Sequence, residues 1–186
     1  MNESVIRADI ARASAVADFV IVMPHMGYEY ELTVHPHIQD WVMMMLSAGA
    51  DIVVAGHPHV VQPMGFVDVL CSDTGNMRKG FVAYCLGNFI SSQRIPPTDA
   101  GVMLNLYFER VGDAAPMLAG ASYVPTWVKF TDAAGNTDIR VLPIMETLQA
   151  VDAGEDLGLR QADIVRMREA LREIEAQVSI PLQTPR

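Results

Sequence analysis

Four of the five histidines fall in two His-Pro-His triplets, His35-Pro36-His37 and His57-Pro58-His59, and the fifth, His25, follows Pro24. Neutral imidazole is the commonest side-chain ligand for divalent transition-metal ions. The second triplet stands directly after Asp51-Ile52-Val53-Val54-Ala55-Gly56, and His25 stands after Asp18-Phe19-Val20-Ile21-Val22-Met23, both apolar runs of strand character. Imidazoles at the end of a buried strand need partners, because an unsatisfied buried polar group costs on the order of 1–3 kcal/mol. A shared cation would satisfy both nitrogens, although ordinary hydrogen-bonded histidines remain the alternative on spacing alone. Pro58 fixes its own φ and is expected to hold His57 extended. The first triplet lies in a polar stretch at a predicted helix start, where exposed or capping imidazoles are expected.

The elements that must present these groups can be read in order. Residues 3 to 17 predict a helix capped by Asn2 or Ser4, with Val5, Ile6, Ile10, Ala13 and Ala17 on a narrow apolar face. The run 18–23 predicts a strand buried on both faces. Pro36 opens a second helix with Ile38, Trp41, Val42, Met45 and Leu46 at helical spacing, and Gly49 closes it. With the strand 51–55 this makes a βαβ unit with parallel strands. Sites in such sheets form beyond the carboxyl ends of the strands, which brings His25 to the same margin as His57 and His59. Strands over 66–71 and 81–86 follow, the latter delivering Asn88 after Gly87, and then a loop over 91–100. Further strands over 102–108, 117–130 and 138–144, the last two joined by a turn over Asp132–Asn136, predict an antiparallel, β-rich half. Residues 152–158 read as a linker. The last helix, from 161 to 178, carries Ile164, Met167, Leu171, Ile174 and Val178 on one stripe expected to dock on the chain's own core.

Composition bounds the function classes. With 186 residues and 51% hydrophobic content the chain can bury one sizeable core. A net charge of −9 without any Lys/Arg cluster excludes a nucleic-acid surface of the usual kind. An anionic partner would be bound locally, through a metal. No window is long and apolar enough for a membrane span, and the opening Met-Asn-Glu-Ser lacks a signal-peptide layout, which leaves localisation open. Cys71 and Cys85, without CxxC spacing, are expected to be free buried thiols.

Three stretches together resemble a family. Asp18–Tyr30 with its Pro-His-Met-Gly-Tyr-Glu-Tyr end, Ala48–Gln62 with Gly56-His57-Pro58-His59, and Tyr84–Phe89 with Leu86-Gly87-Asn88-Phe89 are similar to the closing motifs of the CapA-type poly-γ-glutamate (capsule) biosynthesis proteins. Tyr123–Val128 resembles a segment met after them, so that the likeness covers about residues 15 to 130. That family belongs to the calcineurin-like metallophosphoesterase superfamily. Met26 stands where Trp is usual, and Gly56 where a second His is frequent.

The resemblance implies an α/β fold: the C-terminal part of a metallophosphoesterase-like sandwich over 1–150, then a linker and amphipathic helix over 151–186. It implies divalent metal ions (Mn, Fe or Zn), with His25 and His57 on one ion and His59 on the other. Glu29 and Asn88 are candidates for orienting a ligand or touching substrate. An anionic polymer or phosphoester would be the substrate, attacked by hydrolytic or transfer chemistry. The superfamily's Asp and Asn-His motifs precede the strand ending at His25, and the 24 residues before it hold no Gly-Asp or Asn-His pair. Two ions about 3.5–4 Å apart also require carboxylates and a bridging oxygen. The implied partner is therefore an N-terminal half of the same protein, and the implied location the bacterial cell envelope. A non-catalytic component of capsule polymer synthesis or export, and a mononuclear zinc hydrolase using the three histidines, stand as alternatives.

Overall fold

The computed structural model describes residues 2–113, 116–131 and 134–180; residues 132 and 133 of the predicted turn and 181–186 of the predicted C-terminal segment lie outside them. A first sheet contains β1 (Ile21–Val22), β2 (Ile52–Val54), β3 (Met64–Leu70) and β4 (Met77–Ala83), in the order β1-β2-β4-β3. β1, β2 and β4 run parallel and β3 antiparallel to β4. The second sheet, β5 (Ala100–Glu109), β6 (Met117–Thr131) and β7 (Thr137–Pro143), is antiparallel throughout. Among the described residues there are four helices: α1 (Glu3–Ser14), α2 (Pro36–Ser47), α3 (Ile144–Asp152) and α4 (Gln161–Glu175). The architecture is α/β with two sheets and flanking helices, consistent with a metallophosphoesterase-like sandwich.

The central strands explain the apolar runs. Ile52 and Phe81 enter a core shared with Trp127, Ile144, Met167 and Ile174, whereas their neighbours Val53 and Val82 enter another with Ile10, Val42, Met45 and Leu46. A strand covered on both faces has no polar side to display. Between β1 and β2, α2 begins with Pro36 at its first turn, and its C-terminal end is held by Arg78, which donates to the carbonyls of Leu46 (2.7 Å) and Ala50 (2.6 Å). The Leu46 carbonyl also accepts from Gly49 N–H at 3.1 Å, so Arg78 adds a charged donor to a helix end already turned by the backbone. The stripe on α4 docks as expected, with Met167 and Ile174 in the first core and Ile164, Leu171 and Val178 against it. Arg166 secures the helix by two bonds of 2.9 Å to the buried Asp99, which also accepts from the Trp127 indole at 2.8 Å.

Two expectations need correction. β1 is an edge strand rather than one buried on both faces: Ile21 is 49% and Met23 76% exposed, although Ile21's register partner Ile52 is 0% exposed. The core beneath the second sheet reaches Ile52 and Phe81 but stops short of Ile21. α3, absent from the sequence reading, occupies the stretch between the last strand and the linker, packing Ile144 and Leu148 inward, with the Thr147 hydroxyl donating to the Pro143 carbonyl at 2.6 Å. Both cysteines are free, Cys85 buried and Cys71 half-buried.

Candidate functional site

The segments following β1 and β2 are laced side by side. His25 bridges Gly56 in parallel fashion, Met26 N–H donates to the Gly56 carbonyl (2.8 Å), Gly56 N–H to that of Pro24 (3.1 Å), and Tyr30 N–H to that of Pro58 (2.8 Å). Residues 32 apart in sequence thereby meet: the His25 and His57 rings lie with centroids 4.7 Å apart. Gly27 makes the approach possible, since it has a φ of +122° and a Cβ there would lie 2.9 Å from Pro58 Cγ. His57 is not extended as Pro58 predicts; its φ is +121°, and His59 and Tyr30 also have positive φ, at +62° and +67°. These are the non-glycine residues in that region among those described, and all three belong to this site. Each costs on the order of 1–3 kcal/mol and persists only where surrounding contacts over-determine the backbone.

His25, His57 and His59 share a cavity of about 290 Å³ with Pro24, Cys85 and Asn88. His25 is exposed, and the other two are half-buried. Asn88, 8% exposed, is presented by Gly87, whose φ is +72° and whose backbone bridges Gly101 of β5. A Cβ on Gly87 would lie 2.6 Å from the Ala100 carbonyl oxygen. The Asn88 Nδ2 group donates to Gln93 Oε1 and to the Thr98 carbonyl, both at 2.9 Å, while its Oδ1 meets His59 Nδ1 at 2.9 Å. Glu29 Oε1 stands 3.7 Å from His59 Nε2, and the Tyr30 ring stacks beside His59 at 6.1 Å. Burial pushes the Cys85 thiol up, opposed by nearby backbone amides including that of Gly87, which donates to Sγ at 3.4 Å. That keeps the sulfur a neutral wall. The first triplet joins none of this: His35 begins α2 without a side-chain cap bond, pairs with Glu31 and packs near Tyr28 with His37.

Ring spacing tests whether the imidazoles suit a metal. With nitrogen-to-metal bonds of about 2.1 Å, rings on adjacent positions of one ion have centroids roughly 4.5–5.5 Å apart. His25 and His57, at 4.7 Å, fit that interval; His57 and His59, at 6.3 Å, exceed it. Glu29 and His59 lie within the roughly 4.2 Å that two donors on one ion can span. Among the described residues no group of three or more His, Cys, Asp or Glu side chains converges as a cation site. The chain's own donors thus fit a metal in pairs and do not close a shell. Tyr30, Gln93 and Cys85 escaped the sequence reading of the site. Tyr30 lay inside the quoted motif, but Gln93 sits on an irregular loop where periodicity gives no signal.

Strand-end histidines on a βαβ unit, backed by an antiparallel sheet, belong to a mixed α/β domain, an architecture consistent with a metallophosphoesterase-like fold. The chain belongs to the family described as bacterial capsule synthesis protein PGA_cap, whose model matches residues 1–93 and so includes His25, Glu29, His57, His59 and Asn88. It is similar to capsule biosynthesis protein CapA of Bacillus anthracis, 32% identical over 118 residues, which cover 61% of this chain and 26% of that protein. It is also similar to PGA biosynthesis protein CapA of Bacillus subtilis strain 168, 30% identical over 103 residues, covering 55% and 24% respectively. The chain spans about a quarter of the length of these curated relatives.

Proposed function

We propose that this chain supplies the imidazole side of a divalent-metal site in a capsule-polymer biosynthesis protein, acting in hydrolytic or transfer chemistry on an anionic polymer or phosphoester at the cell envelope. The observation that carries the reading is the 4.7 Å spacing of His25 and His57, brought together by backbone laced across two strand ends. His25 and His57 would hold one ion (Mn, Fe or Zn), and His59, with Glu29 3.7 Å away, a second. When bound, such ions polarise a substrate oxygen and lower the pKa of bound water. The remaining donors, carboxylates above all, would come from polypeptide other than these 186 residues. The chain's own part is to fix three nitrogens at one rim. The spacing of His57 and His59 favours two positions over the mononuclear zinc alternative.

Calorimetric titration of the chain with Zn²⁺ tests this. Binding that weakens at least tenfold on both His25→Ala and His57→Ala is expected, since loss of even an outer-shell partner of a metal ligand costs about 10–100-fold. Unchanged binding in both variants would overturn the ligand assignment and leave a non-catalytic role in polymer synthesis or export.

A further inference from the structure

We propose that Gln93 and Tyr30 are positioning residues for His59, holding its imidazole through Asn88 as the Nδ1–H tautomer with Nε2 left as the lone-pair nitrogen. The Thr98 carbonyl can only accept, so the Asn88 atom 2.9 Å from it is the amide nitrogen. The second Asn88 N–H is taken by Gln93 Oε1 at 2.9 Å. Asn88 therefore has only its oxygen to offer His59 Nδ1, 2.9 Å away, and that ring nitrogen must donate. Gln93 is oriented in its turn, because its Nε2 donates to the Tyr30 hydroxyl at 3.1 Å. Tyr30 closes the circuit: its ring stacks beside His59, and its backbone is tied to Pro58.

A neutral imidazole ligates through whichever nitrogen lacks a proton, so the relay selects Nε2, the atom nearest Glu29, as the donor. The functional meaning of the relay rests on the ligand role proposed for His59; the tautomer does not. Its carrier, the loop holding Gln93 and Thr98, comes from outside the two strand ends that deliver the histidines.

Long-range ¹H–¹⁵N correlation spectra of the metal-free chain at about pH 8.5, where imidazole is neutral, test the proposal. The wild-type His59 is expected to show a protonated Nδ1 and a bare Nε2. Gln93→Leu and Tyr30→Phe are expected to introduce the Nε2–H form that free imidazoles favour, while Gln93→Glu, which keeps an acceptor for Asn88, restores the wild-type pattern. Backbone amide dispersion verifies folding, and Tyr30→Phe carries the test if Gln93→Leu does not fold. A wild-type Nε2–H tautomer, or a pattern unmoved by both Gln93→Leu and Tyr30→Phe, overturns the relay. If the tautomer shifts while Zn²⁺ affinity stays within twofold, the relay stands and the ligand role of His59 fails. A roughly tenfold loss in affinity supports both.

Discussion

At His57 the residue preceding a proline adopts a φ of +121°, opposite in sign to what Pro58 alone would favour. The reason lies in the neighbours. Hydrogen bonds from Met26 and Tyr30 to Gly56 and Pro58 clamp the peptide on either side, and Gly27 lets Pro58 sit against the adjoining segment. Such strain is released by glycine, which tolerates positive φ, but not by alanine. His57→Gly is therefore expected to be more stable than His57→Ala by about 1 kcal/mol in chemical denaturation. Equal stabilities, or a more stable alanine variant, would remove strain from the account of this site. The imidazoles themselves were legible in the sequence, since types and spacing are local properties. The conformation that aims them was not, because it is imposed by a strand end 32 residues away.

Among the elements, β6, β7 and α4 meet over an ionic cluster that no periodicity discloses. Lys129, 1% exposed on β6, donates to Asp138 of β7 at 2.7 Å and to the Gly158 carbonyl at 3.1 Å. The Lys129 hydrogen bond holds the Asp138 carboxyl below the ordinary range, with Arg140 assisting against a smaller effect of burial. At Asp163, in the first turn of α4, burial pushes upward, but hydrogen bonds from Arg160 outweigh it and the carboxyl again ends low. Carboxyls depressed in the folded state contribute stability that is fully present above the unfolded value of about 3.9 and is lost as pH falls through the lower folded values. Thermal midpoints should therefore fall steeply below about pH 4, and Lys129→Met should make that acid dependence shallower. An identical acid profile in the variant would show that the cluster does not govern it. α3, by contrast, was available from Ile144, Leu148 and Val151 at i, i+4 and i+7. It went unread because nine residues between a strand and a glycine-bearing linker give a short signal.

For the molecule as a whole, the βαβ unit was legible because the runs that form β1 and β2 are apolar residue after residue, a property visible in composition. Sheet position was not: β1 has the same apolar composition as β2 yet lies at the margin, and sequence alone does not say which strand ends a sheet. Ile21 and Met23 thus remain open beside a strand edge that no other described strand pairs, a surface prone to pairing with another chain. Met23→Lys combined with Ile21→Lys is expected to lower the apparent mass in concentrated light-scattering measurements while leaving the thermal midpoint nearly unchanged. A mass that is already monomeric in the wild type, or unaltered by the pair, would show this margin to be harmless. The same margin bears on the imidazoles. His25, exposed next to β1, meets bulk water, whereas His57 and His59 are half-screened. Any polypeptide laid along β1 would dehydrate His25 first, so this edge sets the local dielectric in which the rim of nitrogens works.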